Sequence, residues 1–496
     1  MNIYLTTPIY YASGSPHLGH AYTSFLADCY KRYLQLCGHD VLLTSGTDEH
    51  GQKIERTAAK QGIPTQAFVD AKSEEFRHLW TALDVSVDLF ERTTGGHHKQ
   101  VVIEFWQRLK ASGDIYRGAY SGLYCVECEQ YFTVGSECPV HKIPLESFSE
   151  KCWFFRLSRY QQALIDHIES HADFIVPQQR RNEVLSFLQK NKLRDLSVSR
   201  SSTKWGIPVP GDPEQVLYVW IDALVTYLSA LSAQVGKAEL ESWRKNTVHF
   251  IGKDIIIFHA VYWPALLLSV GLPLPQSLVV NGWLTVEGEK IAKSNPATIV
   301  NPLELANEFG TDGLKYYFLR TVGAGADSDF SREQLKQVLN TDLANNLGNL
   351  VSRVTSLVTK FHGGCIIRPT EPLSSSANEL LQVLLLAREK TGIAFRDFLI
   401  ANAAELFVTS ASRINNYLQN QQPWKETDPV TRGEILWVSC LAIKQVSVLA
   451  TPFVPELAQR IRNSLGIGSL PNWSDTNEDV EEFQVNSSIK VFPRLP

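Results

Sequence analysis

The sequence predicts an α/β protein: a doubly wound parallel sheet, split by an insertion and followed by an α-helical bundle. Three observations predict it. Two strand–helix–strand patterns lie far apart in the chain, a cysteine cluster falls between them, and from Arg332 onward apolar residues recur at helical spacing.

Asn2 to Tyr10, "NIYLTTPIY", is apolar and extended, and Ala12 to Pro16 is a turn. Leu18, Tyr22, Phe25, Cys29, Tyr33 and Leu36 then follow helical spacing, and Gly38 ends the run. Asp40 to Ser45 is a second strand, followed by "GTDEHG". Short connections make this a βαβ unit with parallel strands. Sites in such sheets lie at the carboxyl ends of the strands. That edge gathers Tyr10, Tyr11, His17, His20, Asp48 and His50. The second pattern has strands at Val248 to Ile251 and Ser277 to Val280, with a helix from Ile255.

The uncharged run 255–286 is longer than the ~20 residues a membrane span needs. Pro264, Pro273, Pro275, His259, Gln276 and Asn281 interrupt it, so a buried helix, a turn and a buried strand are expected. Leu335 to Phe361 forms one long apolar stripe, and further helices at Leu380–Phe398, Ala401–Leu418 and Gly433–Ala450 complete a bundle. The late stretch "SDTNEDVEEF" is acidic and expected to be solvated. No internal repeat is visible.

A chain of 496 residues suggests about three domains. Apolar content of 44% and charged content of 20% are those of a globular protein. A net charge of −5 argues only weakly against a nucleic-acid partner, because a local basic patch suffices for binding. The N-terminus has no basic segment leading into an apolar one, which predicts no secretory signal and a cytoplasmic protein.

Eight cysteines are too few for a disulfide scaffold of this size. Cys125, Cys128, Cys138 and His141 form two C-x-x-[CH] knuckles, "CVEC" and "CPVH", a strong signal for one Zn2+ per chain. Four ligands leave no open position, so the metal is expected to be structural. The cysteines at 29, 37, 152, 365 and 440 read as small apolar residues.

His17 and His20 flank Gly19 just after Pro16, at a helix start. Helix N-termini attract phosphate, and imidazole N–H groups stabilise charge developing on it. Spacing alone equally fits an ordinary helix start with two surface histidines. Lys290 and Lys293 lie three apart in the loop "EGEKIAKS". Mobile lysines there could clamp pyrophosphate, and a solvated hairpin has the same pattern.

"HLGH" and "KIAKS" resemble the HIGH and KMSKS signatures of class I aminoacyl-tRNA synthetases. "TPIYYASGSPHLGHAYT", "GTDEHGQKI", "YVWIDALVTY", "HFIGKDIIIFHAVYWPALL" and "DLANNLGNLVSR" narrow the resemblance to the methionyl-tRNA synthetase family. It runs from residue 3 to about residue 460, in the family's order. The resemblance implies a Rossmann-type catalytic domain using L-methionine, ATP with Mg2+, and tRNA(Met), both elongator and initiator.

By block matching, catalysis falls to His17, His20, Lys290 and Lys293. The methionine side chain is surrounded by Ile9, Tyr11, Trp220, Leu224, Tyr227, Ile255, His259 and Trp263, and Asp48 holds the α-ammonium. A Tyr hydroxyl or His N–H could reach the sulfur. His17, Gly19, His20, Gly252, Asp254, Gly282, Leu284 and Lys293 match positions that contact ATP. Asn349, Arg353 and Trp424 match readers of the CAU anticodon, where an aromatic ring beside amide and guanidinium donors suits unpaired bases.

The implied segments are 1–115 and 219–282 for the two catalytic halves, 116–218 for the zinc-bearing insertion, 283–342 for a stem-contact region and 343–496 for the anticodon-binding bundle. No appended dimerising module is visible, so a monomer is expected.

The loop departs from the family pattern: Ile291 and Ala292 replace the usual Met and Ser, and "NPAT" lacks the common Gly-Asn. Both lysines and Ser294 remain, so altered loop mobility is expected with the chemical step kept. Met occurs once. Synthesis under methionine scarcity, resistance to sulfur oxidation and a low-Met proteome or engineering each account for that. A paralogue that charges no tRNA should lose the anticodon readers. A non-enzymatic RNA-binding protein should lose the histidines or lysines. Neither loss is present, and the Trp220, Tyr227 and Trp263 set disfavours a sister specificity.

Overall fold

The computed structural model describes residues 1–496 apart from 126–129, 133–134, 140–141, 287, 291–299, 324, 469–471 and 475–479. At 120–121, 124, 130–132, 147–150 and 289–290 it describes the backbone alone. The chain divides into two compact units, Met1–Thr23 with Val41–Asn281, and Ser24–Asp40 with Gly282–Pro496.

The first unit is built on a six-stranded sheet. Its strands include β1 (Asn2–Tyr11), β2 (Asp40–Asp48) and β3 (Leu89–Arg92). Helix α1 (Leu18–Leu36) follows β1. The order is β3, β2, β1, Thr247–Gly252, Ser277–Asn281, Ile175–Val176. Tyr4 pairs with Thr247, Val248 with Ser277 and Leu278 with Ile175, all in parallel. Both βαβ patterns expected from sequence are therefore present in one sheet.

Two features of the sheet differ from expectation. Strand β2 continues through Gly46, Thr47 and Asp48, where the composition suggests a turn, because β3 pairs with it there. A Cβ at Gly46 would lie 2.1 Å from the Glu91 carbonyl oxygen, so the close approach of β3 requires glycine. The edge strand Ile175–Val176 is two residues long and carries no periodicity that sequence could reveal. The insertion also holds an antiparallel sheet, in which Ile115–Cys125 pairs with Glu146–Phe155 from Ile115↔Phe155 to Tyr124↔Glu146.

The uncharged run 255–286 contains a widened π-type turn at Phe258–Tyr262, a helix at Trp263–Ser269 and the strand Ser277–Asn281. That matches the buried helix, turn and strand expected. Among the described residues, one helix, Pro429–Ala450, is long and apolar enough to cross a membrane, but 83% of its apolar window is buried inside the protein.

In the second unit the long apolar stripe is three helical segments rather than one. Arg332–Val338 and Asn349–His362 are α-helical, and Leu339–Gly348 between them is wound wider, as a π-helix. Leu335, Leu339, Leu343 and Leu347 recur every four residues and are all fully buried. Helices Ser375–Arg396, Ile400–Gln421, Pro429–Ala450 and Pro455–Ser464 form the bundle. The acidic stretch expected to be solvated is not wholly so: Phe483 is 1% exposed, and its strand pairs with Cys365–Ile367.

The second unit also buries charge. Asp28 accepts from Lys315 Nζ at 3.1 Å and Arg32 Nε at 2.9 Å. Asp312 accepts the Leu457 N–H at 2.7 Å, yet burial pushes its carboxyl up to about 6.

Two outcomes are expected. The folded state of Asp312 prefers the proton, so its contribution is full below about pH 4 and is lost as pH rises through about 6. Asp312→Asn keeps the acceptor and should be more stable than the parent at pH 8 by about 3 kcal/mol, with the gain vanishing towards pH 4, as read from thermal unfolding. Gly46→Ala should cost about 3 kcal/mol by forcing β2 and β3 apart. Gly96→Ala, whose Cβ meets nothing within 4 Å, should leave the melting temperature unchanged or raise it.

Candidate active site

The carboxyl edge of the sheet carries the opening histidines. His17 immediately precedes α1 and His20 lies in its first turn. Their rings stack with centroids 3.7 Å apart at 25°. His20 Nδ1 accepts the backbone N–H of His17 at 3.1 Å, and His17 Nδ1 accepts that of Gly19 at 3.2 Å. Each neutral ring therefore carries its proton on Nε2, a donor suited to a phosphate oxygen. A Cβ on Gly19 would come within 3.2 Å of the His17 ring, so glycine gives the stack its room. Tyr10 and Phe76 back the His20 ring at 4.8 and 5.3 Å, and Tyr10 donates its hydroxyl to the His20 carbonyl.

The residues matched to the methionine side chain lie in the same unit. Tyr11, Trp220 and Ile255 pack against the buried cluster that holds Leu224, Tyr227 and Trp263. Trp220 stacks on Phe258 with centroids 3.6 Å apart, a partner the sequence did not single out. Ile9 is half-buried on β1 and lies outside that cluster. His259 sits in the widened turn. Its Nδ1 faces the Ile255 carbonyl at 3.0 Å, which can only accept, so Nδ1 carries the proton. Nε2 then accepts from the Tyr227 hydroxyl at 2.8 Å. Burial lowers His259 to about 4 and pushes the Tyr227 hydroxyl far up, so both are neutral. The sequence suggested that one of these protons could reach a sulfur. Here both are committed inside the protein.

The segment Asp48-Glu49-His50 is held at three successive points. Asp48 is buried, and its carbonyl accepts the Ala12 N–H at 2.9 Å. Glu49 is fully buried and binds Arg92 through Nε at 2.7 Å and a terminal nitrogen at 2.9 Å. His50 Nδ1 lies 2.6 Å from Asp222 Oδ2, and His98 Nε2 lies 2.6 Å from Asp222 Oδ1. Burial works against the Asp222 carboxylate, but the two imidazoles overcome it and lower the group to about 2. Sequence places His50 at this edge and gives no sign of its link to Asp222, 172 residues on, or of the link from Asp222 to His98, 124 residues before it.

Gly252 ends the strand Thr247–Gly252, and Asp254, two residues on, is exposed. In the second unit, Gly282 has the Ala326 carbonyl oxygen 2.0 Å from where a Cβ would be, so glycine is required. Leu284 is buried in the strand Leu284–Val286, which pairs with Glu289–Lys290. Asp329 pins that hairpin by accepting from Thr285 Oγ1 at 2.6 Å and the Gly288 N–H at 2.8 Å. The Lys290 side chain and all of Lys293 lie outside the described residues.

Cys125 ends its strand and Cys138 sits in a turn closed by its N–H to the Ile143 carbonyl at 2.8 Å. Both thiols are fully buried, as knuckle ligands would be. Cys128 and His141 lie outside the described residues, and no group of three possible metal ligands occurs among those described. In the bundle, Arg353 lies over the Trp424 ring at 5.9 Å and donates to Asn415 at 2.9 Å, while Asn349 is exposed.

Known proteins share this architecture. The family described as tRNA synthetases class I (M) matches residues 3–146 and 135–355. The methionine–tRNA ligase of Thermosynechococcus vestitus is 41% identical over 93% of this chain and 89% of its own. That of Rickettsia felis is 40% identical over 94% and 92%. Among solved structures, Mycobacterium tuberculosis methionyl-tRNA synthetase in complex with methionyl-adenylate superposes with a TM-score of 0.95 at 37% identity, covering all of both chains. The chain belongs to the methionine branch of the class I tRNA synthetases.

Proposed function

We propose that this chain joins L-methionine to ATP, giving methionyl-adenylate and pyrophosphate, and passes the methionyl group to the 3′ end of tRNA(Met). The observation that carries the reading is the stacked pair His17 and His20 at the sheet's carboxyl edge, each ring with its proton on Nε2, in the unit that also holds the buried aromatic cluster. Those donors suit charge building on the α-phosphate as pyrophosphate leaves. Lys290 and Lys293 take the pyrophosphate side, and Mg2+ accompanies ATP. Gly19, Gly252, Asp254, Gly282 and Leu284 line the nucleotide.

Asp48 takes the α-ammonium, while Ile9, Tyr11, Trp220, Leu224, Tyr227, Ile255, His259 and Trp263 enclose the side chain. The committed protons of Tyr227 and His259 favour recognition by shape and ring contact over donation to sulfur. No covalent enzyme intermediate is needed, because positioning and charge stabilisation suffice. Asn349, Arg353 and Trp424 read the anticodon of elongator and initiator tRNA(Met), and the Arg353–Trp424 contact supports a stacking platform. Cys125, Cys128, Cys138 and His141 hold one structural Zn2+, supported by the two buried thiols. The proposed setting is a cytoplasmic monomer with the segments 1–115, 116–218, 219–282, 283–342 and 343–496.

ATP–pyrophosphate exchange with each of the twenty amino acids should respond to methionine, and the CAU tRNA should then be charged. Exchange without charging would leave an amino-acid-activating enzyme that acts without tRNA, and no exchange would sink the reading. His20→Ala should lower kcat for exchange by about a hundredfold or more. Metal analysis should find one zinc per chain, and Cys125→Ser with Cys138→Ser should lose it and lower the melting temperature. A zinc-free parent of equal stability would remove the metal from the account.

A further inference from the structure

We infer that Asp222, bridged to His50 and His98, is a positioning residue that sets where Trp220, Leu224 and Tyr227 stand relative to Asp48. The inference rests on the methionine-activating reading above and names a device within that site.

The geometry of one helix carries it. Asp222 and Ser229 lie seven residues apart on Val219–Gln234, hence on one face. Trp220, Leu224 and Tyr227, at i, i+4 and i+7, lie on the opposite face. His98 grips the first face at both points, through Nε2 to Asp222 at 2.6 Å and Nδ1 to Ser229 Oγ at 2.8 Å. The rotation of the helix about its axis is thereby fixed from behind, and with it the aim of the pocket face.

The other carboxylate oxygen reaches the ammonium side of the site. Asp222 Oδ2 meets His50 Nδ1 at 2.6 Å, two residues beyond Asp48. Trp205 holds that segment from outside, with its ring edge-on to His50 at 5.8 Å and its Nε1–H donated to the Glu49 carbonyl at 2.6 Å. One carboxylate thus joins the helix carrying the side-chain pocket to the segment carrying the proposed ammonium ligand.

The chemistry is costly for a purely structural role. A buried carboxylate loses its hydration, and an apolar filler of the same volume often packs at no loss of stability. What an apolar filler lacks is direction. Two ring N–H donors on the two oxygens of one carboxylate define distance and rotation together. The fully buried state of Asp222 and His98 keeps water from substituting for either bond.

The test separates positioning from stability. His98→Gln places an amide N–H near the site of Nε2, whereas His98→Leu fills the space without a donor. In ATP–pyrophosphate exchange, His98→Leu and Asp222→Asn should raise the KM for methionine about tenfold or more and leave the KM for ATP within about twofold, while His98→Gln stays near the parent. Equal changes in both KM values, an unchanged methionine KM with only a lower melting temperature, or Gln behaving as Leu would overturn the inference. So would a His98→Leu chain that does not fold, since the network would then serve stability alone. If Asp222→Asn does not fold, the His98 pair decides. A parent enzyme without methionine-dependent exchange refutes the functional reading instead, so the two failures are distinguishable.

Discussion

The first unit depends on one topological constraint. Strand β1 and the strand Thr247–Gly252 are parallel neighbours, but the chain leaves them in opposite directions along the sheet, towards β2 on one side and Ser277–Asn281 on the other. Right-handed crossovers send the two connections to opposite faces. In open α/β sheets such a switch point is where ligands bind, outside the carboxyl ends of the central pair. Tyr11, the histidine stack and Asp48 come from the first half of the sheet, and Gly252, Ile255 and His259 from the second. No single local segment could supply both sets.

The proton positions of the polar groups proposed for the site follow by elimination. A carbonyl can only accept, so Ile255 decides the His259 tautomer, which decides the direction of the Tyr227 hydroxyl. Backbone N–H groups decide both rings at the start of α1 in the same way. Each assignment follows from a fixed main-chain atom. The side chains proposed for the site therefore inherit their proton positions from the fold.

Much of this was legible in the sequence because it is periodic or punctuated. The two βαβ units, the helix from Leu18 and the bundle helices follow from apolar spacing and from glycine and proline stops. Short, strongly directional residues such as His17, Gly19 and Cys125 stand out against apolar runs. Two kinds of feature did not show. Pairings across more than a hundred residues, such as His50 and His98 on Asp222, leave no local pattern. Winding changes, such as the wide turns at Phe258–Tyr262 and Leu339–Gly348, preserve apolar character and alter only pitch. The length of β2 was missed for a third reason: a neighbouring strand overrode the turn propensity of Gly-Thr-Asp.

The edge strand Ile175–Val176 bears on how such a chain could be altered. It arises in the region that sequence treats as an insertion, yet it hydrogen-bonds into the catalytic sheet beside Ser277–Asn281. Phe174, Ile175 and Val184 also belong to the same buried cluster as Trp263 and Tyr227. The insertion is thus woven in rather than hung on. A graft that exchanged it whole between relatives would carry away one edge of the catalytic core, whereas a graft limited to the antiparallel hairpin around Cys125 and Cys138 would leave the six-stranded sheet closed.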